Sequence, residues 1–350
     1  MKIIELEALR GFASFYIFLH HTFVKYTGCN EYFAKLFIFG QEVVILFFLL
    51  SGYVIGMSQI KNNYSFKIYF KHRFWRIYSI VIPALVISYF IYSYLNQNWS
   101  IDLQQLVLNL FMFQDKPELK PGVFVSPLFH NEPLWSLSYE WWFYMIFFVH
   151  FKLLKTIENK TFFYIISSFI ISVIGILSYK LIYNQISLFL MYYYIWASGV
   201  SLYLIFSTAN SKNNNISYLL FCYILLILLY GYLFVYSEQL SHYVDHPILE
   251  LRHYIASFIW ILALLFVIRY MKSSIKRNLL IKYSVNIFAK FAPISFAFYI
   301  LHYPVMLLFD PIMINGYLKI LIIFSVTTFL SYLLEILFFR KYILVKVFSK

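Results

Sequence analysis

Ten apolar stretches, each about as long as a bilayer is thick, run through this chain of 350 residues and constrain its fold more than any other feature. A segment crossing the hydrocarbon core needs roughly 20 mostly apolar residues, and every backbone N–H and C=O must be bonded without help from water. The stretches fall at about 8–27, 36–57, 77–95, 133–151, 161–179, 187–206, 216–236, 253–270, 292–310 and 317–339. The predicted fold is therefore an all-α polytopic membrane protein, about ten transmembrane helices in one bundle. Its composition, 62% hydrophobic and only 12% charged, leaves too few polar residues to cover a water-soluble surface. The abundance of Phe and Tyr exceeds what interfacial belts need and carries no functional reading.

A net charge of +13 raises the question of an acidic partner, and the positions of the cations answer it. With an even number of spans both ends of the chain share a side. The segments on that side hold 21 of the 28 Lys and Arg residues. By the positive-inside rule that side is cytoplasmic, so the basic excess is a topology signal and nucleic acid is not an expected partner. Glu5 and Glu7 occupy the place of a basic n-region and no small-residue cleavage site follows, so the first span is expected to stay in the mature protein. Only about eleven residues follow the last span, so residues 1–350 are expected to form a single domain without an appended soluble one. Cys29 and Cys222 are too few and too scattered for a disulfide framework or a metal site. No internal repeat or paired broken helices mark a secondary transporter.

Polar residues inside apolar runs are the candidates for chemistry, because each is costly in lipid unless it faces a partner or a cavity. Arg10 and His21 lie eleven residues apart in the first span. On a helix that step is about 1100°, which places them within roughly 20° of one face and about 16 Å apart along the axis. His20 is expected to point elsewhere. Glu42 falls in the outer third of the second span, where snorkelling to the interface and lining a cavity are both open readings. Glu140 lies about two turns, roughly 10 Å, below the outer end of the fourth span, too deep for a short side chain to snorkel, so it is expected to face the bundle interior. Arg73 and Arg76 stand three apart in a basic juxtamembrane segment and can share a helix face. They suit either an anchor to anionic lipid or a clamp on a phosphate-bearing ligand. His302 sits near the middle of the ninth span, where structural and site roles are equally open.

Other polar residues read as structural. The outer segment 96–132 is expected to form an interfacial helix and a lid over an outward-facing cavity. His242, Asp245 and His246 lack a fourth ligand at a defined spacing and default to a solvated loop. His72, His130, His150 and His253 read as interfacial or loop residues, and Glu335 as reaching Arg340 or the interface.

Taken together, four stretches and a fifth in fixed order resemble the integral-membrane acyltransferase family 3. They are Leu9-Arg10-Gly11 with the spacing to His21; Gly40-Gln41-Glu42 through Phe47-Phe48-Leu49-Leu50-Ser51-Gly52; Arg73-Phe74-Trp75-Arg76-Ile77-Tyr78; Trp135-Ser136-Leu137-Ser138-Tyr139-Glu140 through Tyr144; and Ser295 through His302-Tyr303-Pro304. Ile45 and Ser79 stand where many members carry Asp and Pro. The resemblance implies transfer of an acyl group, acetyl in the commonest case, from cytoplasmic acyl-CoA to a hydroxyl of a cell-surface or exported polysaccharide. It also implies a place in the bacterial inner membrane and no permanently bound cofactor. On this reading His21 and Glu140 are catalytic, Arg10, Arg73 and Arg76 hold the donor, and Glu42, Ser136, Tyr144 and His302 support the cavity. A transporter or flippase for a lipid-linked glycan, its Arg, His and Glu forming a proton path, is the alternative from another class.

Overall fold

The computed structural model describes residues 3–28, 32, 35–154, 157–207, 212–236, 245–267 and 278–344. Among them the fold is all-helical, with a lone bridge between Gln114 and Val125 and no strand. In chain order the α-helices are α1 (Ile3–Thr27), α2 (Gly40–Asn62), α3 (Phe66–Asn96), α4 (Leu103–Leu110), α5 (Trp135–Leu153) and α6 (Lys160–Leu181). They continue as α7 (Gln185–Ser207), α8 (Lys212–Tyr230), α9 (Ile248–Phe266), α10 (Leu279–Phe291), α11 (Ser295–Phe309) and α12 (Gly316–Tyr332). Wider-wound π segments prolong α8 through Gly231–Val235 and α12 through Leu333–Leu344.

Among the described residues eight helical stretches are long and apolar enough to cross a membrane. Two of the expected spans fall short, α1 and α5, and the cause is their polar content: Glu5, Glu7, Arg10, His20 and His21 on α1, and Ser136, Ser138 and Glu140 on α5. Both helices nevertheless pack inside the bundle. Two boundaries also move. α3 begins at Phe66 rather than near residue 77, so Lys67, Lys71, Arg73 and Arg76 ride on one continuous helix. The ninth span is preceded by α10 and joined to it through a 3-10 turn, Ala292–Ile294. Arg269, Lys272, Lys276 and Arg277 lie outside the described residues.

The bundle is built around α7. Tyr192, Tyr193, Tyr194, Ile195 and Trp196 are all fully buried, so this helix is wrapped on every side. Its neighbours come close because small residues stand at the crossings. A Cβ on Gly52 of α2 would lie 2.0 Å from the Trp196 carbonyl oxygen, and one on Gly199 of α7 would lie 2.0 Å from that of Leu49. The buried tyrosines bond main-chain carbonyls: Tyr254 to Met191 at 2.6 Å, Tyr69 to Tyr144 at 3.1 Å. The hydroxyls of Tyr254 and Tyr69 are thus satisfied inside an apolar core, a structural use of an aromatic-rich composition.

α1 is clasped between α2, α10 and α11. Gly11 lets α10 touch it directly, since a Cβ there would meet the Phe288 carbonyl oxygen at 2.1 Å. Between α4 and α5 the connection lends Lys116, Glu132 and Pro133 to the wall of a cavity in the bundle. Buried Asp115 pins it, accepting hydrogen bonds from Lys120 at 2.9 and 3.1 Å, from the Tyr139 hydroxyl at 2.5 Å and from the Lys116 main chain at 2.7 Å. Below, "terminal face" denotes the end of the bundle where α1 starts and the extension of α12 finishes, and "loop face" the opposite end.

Candidate active site

Three cavities line up through the bundle and share walls. A central one of about 170 Å³ is lined by Arg10, Ser51, Arg73, Arg76, Ser136, Glu140, Tyr144 and Tyr299 among others. Toward the terminal face a second, of about 310 Å³, is bounded by Glu7, Arg10, Arg76, Pro293, Phe339 and Arg340. Toward the loop face a third, of about 100 Å³, holds His20, His21, Gln41, Lys116, Glu132 and Tyr299. Arg10 and Arg76 stand between the first two, and Tyr299 between the first and third.

Glu140 faces the interior, as its depth in the sequence predicts. Its Oε1 accepts from the Ser51 hydroxyl at 2.7 Å and from the Tyr144 hydroxyl one helical turn below. Ser51 in turn accepts from the Trp196 indole at 3.3 Å. Both hydroxyl protons converge on one oxygen, which leaves Oε2 without a donor among the described residues. Ser51 and Trp196 were not singled out in the sequence, where a serine in a Leu-Ser-Gly run and a buried Trp carry no mark of this contact.

The arginines divide into two kinds. Arg76 is forked onto Glu335, Nη1 to Oε2 at 2.7 Å and Nη2 to Oε1 at 3.2 Å, and its guanidinium lies 4.8 Å from the Phe296 ring centre and 5.2 Å from that of Phe339. Glu335 therefore does not reach to Arg340 or the interface; it is 1% exposed and also accepts from the Ala297 main chain at 3.3 Å. The fold brings α3 and the α12 extension together there, and a carboxylate facing a forked guanidinium is more stable than one at the lipid boundary. Arg73 lies over the rings of Tyr69 and Tyr144 at 5.4 and 5.8 Å and makes no hydrogen bond among the described residues, its buried Nε included. Arg10 likewise makes no hydrogen bond or ion pair among them. Counting Arg10, Arg73, Arg76, Glu140 and Glu335, the region carries one net positive charge, enough to favour an anionic guest.

In the third cavity His20 does not point elsewhere. Its Nδ1–H donates to the Phe37 carbonyl, and its ring lies where a side chain on residue 40 would be, since a Cβ on Gly40 would come within 2.3 Å of it. The His20 and His21 rings meet edge to face at 4.9 Å, because a cavity beside a helix spans more than one residue's angular share. His21 also packs against His302 at 5.2 Å and Tyr303 at 5.2 Å. His302 is fully buried, with Nδ1–H donating to the Tyr299 carbonyl at 2.7 Å and Nε2 without a partner. Ser136 and Tyr299 bond each other at 2.9 Å, and each reaches the Pro133 carbonyl, at 3.2 and 3.1 Å. Glu140 lines the central cavity and His21 the loop-face one, with Tyr299 in the wall of both.

Glu42 lines none of the three cavities. It is paired with Arg252 of α9, and its carbonyl accepts from the Trp260 indole at 2.8 Å, so it ties α2 to α9. His150 and His253 are buried: His150 bonds Tyr193 at 3.0 Å, and His253 bonds Tyr192 through Nδ1 at 2.7 Å while its Nε2 meets Gln41 at 3.3 Å. His246 is paired with buried Glu250 at 3.1 Å rather than solvated. His242 lies outside the described residues. No cluster of three metal-ligating side chains occurs among the described residues.

A family model described as an acyltransferase domain matches residues 3–338. A protein from Shigella phage Sf6 described as an O-acetyl transferase is 30% identical over 149 residues, a match covering 40% of this chain and 43% of that protein. No solved structure matches.

Proposed function

The chain belongs to this acyltransferase family, and from that premise we propose that it moves an acyl group, most simply acetyl, from acyl-CoA to a hydroxyl of a cell-surface or exported glycan. The donor enters from the cytoplasmic side, which is the terminal face, in a bacterial inner membrane, and the acceptor enters from the loop face. The observation that carries this reading is the line of three cavities, basic at one end and histidine-lined at the other. A thioester donor with phosphates at one end of a long flexible arm matches that layout.

Each polar group then has a task. Arg10 and Arg73, free of carboxylate partners among the described residues, bind donor phosphates, and Arg76 adds to the positive field while held by Glu335. The arm passes Glu140 and the Ser136–Tyr299 pair, bringing the thioester toward His21. His21 takes the proton of the acceptor hydroxyl as its oxygen attacks the thioester carbonyl carbon. The C–S bond breaks, the acyl group stays on the acceptor oxygen, and the departing sulfur recovers a proton to leave as the CoA thiol. Glu140 keeps the Ser51–Tyr144 wall in register and balances the arginines. Because it lies in another cavity, it acts on the passage rather than on the His21 ring.

Purified protein given radiolabelled acetyl-CoA and a surface-glycan extract is expected to label the glycan. His21→Ala is expected to cut the rate by about 10²–10⁴-fold, the range of general-base catalysis. Wild-type transfer rates in the His21→Ala protein would remove His21 from the reaction. Labelled substrate that moves across the membrane unmodified would favour transport instead.

A further inference from the structure

The helices do not supply all of the loop-face cavity. Lys116 and Glu132 come from the connection between α4 and α5 and meet there, Nζ to Oε2, at 2.6 Å. Their side chains are 18% and 21% exposed, so the pair is largely enclosed but not sealed from the cavity. The connection has an anchor of its own besides this pair, the buried Asp115–Lys120–Tyr139 cluster, whose Asp115 accepts from the Lys116 main-chain N–H at 2.7 Å. An ion pair that lines a cavity beside His21 is placed to meet a guest.

The neighbouring groups have defined hydrogen-bonding senses. His20 gives its Nδ1–H to the Phe37 carbonyl, so its Nε2 carries a lone pair. The Gln41 side-chain oxygen can only accept, so His253 Nε2–H donates to it at 3.3 Å and neutral His253 takes the Tyr192 hydroxyl proton at Nδ1, which leaves the Gln41 amide NH₂ as a donor. The cavity thus offers two donors, the Lys116 ammonium and the Gln41 amide, and two acceptors, the Glu132 carboxylate and His20 Nε2. Their charges cancel. Adjacent hydroxyls on an uncharged sugar both donate and accept, and match this alternation. A carboxylate or phosphate on the same edge would face Glu132 and lose affinity.

We propose that Lys116, Glu132, Gln41 and His20 form the acceptor subsite, which reads neighbouring hydroxyls of an uncharged sugar and presents one of them to His21. Acceptor choice then resides jointly in the 111–134 connection and in the facing ends of α1 and α2. This rests on the acyl-transfer reading above, with His21 as the transfer centre.

The test uses the purified full-length protein, radiolabelled acetyl-CoA and glycan extracted from cells lacking the protein. Lys116→Met and Glu132→Gln are each expected to raise the KM for glycan at least tenfold, while the KM for acetyl-CoA stays within twofold. Lys116→Arg, which keeps the charge and the pair, is expected to restore most of the glycan affinity. Glycan KM values within twofold of wild type in both variants would overturn the subsite. So would a loss of melting temperature with both KM values rising together, which marks a structural pair. A wild-type protein that leaves the glycan unlabelled fails the acyl-transfer reading itself and takes the subsite with it.

Discussion

A carboxylate 1% exposed, facing a guanidinium through bonds of 2.7 and 3.2 Å, has no water to turn to when its partner is removed. Removing one member of such a buried pair commonly costs about 3–5 kcal/mol, whereas replacing both by apolar groups is often neutral. Arg76 keeps 29% exposure, so Glu335→Ala is expected to fall at the lower end of that range. The double variant Arg76→Leu with Glu335→Leu is expected to recover most of the stability but not the donor affinity. Thermal unfolding in detergent, read beside the acetyl-CoA KM, checks both parts; a Glu335→Ala protein that melts with wild type removes the pair from the folding argument. At this scale the sequence is legible where a polar residue interrupts an apolar run: Arg10, His21 and Glu140 all line cavities. It is not legible where meaning lies in a distant partner. Glu335 finds Arg76 across 259 residues and Arg252 finds Glu42 across 210, and no local pattern encodes either pairing.

Between helices, spacing is set by what is missing at the crossing. Gly52 packs against the main chain of α7 beside Trp196, the residue whose indole holds Ser51. Gly52→Val would drive a side chain into a carbonyl oxygen that lies 2.0 Å from the Cβ position, and neither backbone can yield without parting the helices. Overpacking of this kind costs typically about 1–3 kcal/mol. The expected outcome is a lower melting temperature together with reduced transfer, since the Ser51–Glu140 contact shifts with α2. Gly231 is the control: a Cβ there meets nothing within 4 Å, so Gly231→Ala is expected to be neutral or to stabilise by about 0.5–1 kcal/mol. Equal losses in the two variants would refute the crossing argument. The ten apolar stretches all became helices because period and length are local properties. The inner start of α3 was missed for a related reason: hydropathy marks where a helix enters lipid, not where its hydrogen bonding begins, and the basic turns of Phe66–Arg76 are helical without being apolar.

Across the whole molecule, the cavity line has a polarity that the charge distribution assigns to the membrane. The terminal-face cavity carries Arg10, Arg76 and Arg340, and the segments expected on that side hold 21 of 28 Lys and Arg residues, so the topology we propose by the positive-inside rule turns this face to the cytoplasm. On the proposed reaction acyl-CoA is then met where it is made, and the loop face with its Lys116–Glu132 pair is turned to the acceptor. The consequence is an orientation that single cysteines can read. With Cys29 and Cys222 replaced by serine, Arg340→Cys is expected to react with a membrane-impermeant maleimide only in inside-out vesicles, and Lys35→Cys, on the exposed turn before α2, only in right-side-out ones. Inside-out vesicles should also accept acetyl-CoA added from the bath, and right-side-out vesicles should not. Reaction of both cysteines from one side would break the even-span topology, and the reversed pattern would place the arginine-lined mouth away from the donor. Either result would leave the bundle intact as a fold and remove the assignment of donor and acceptor to its two ends.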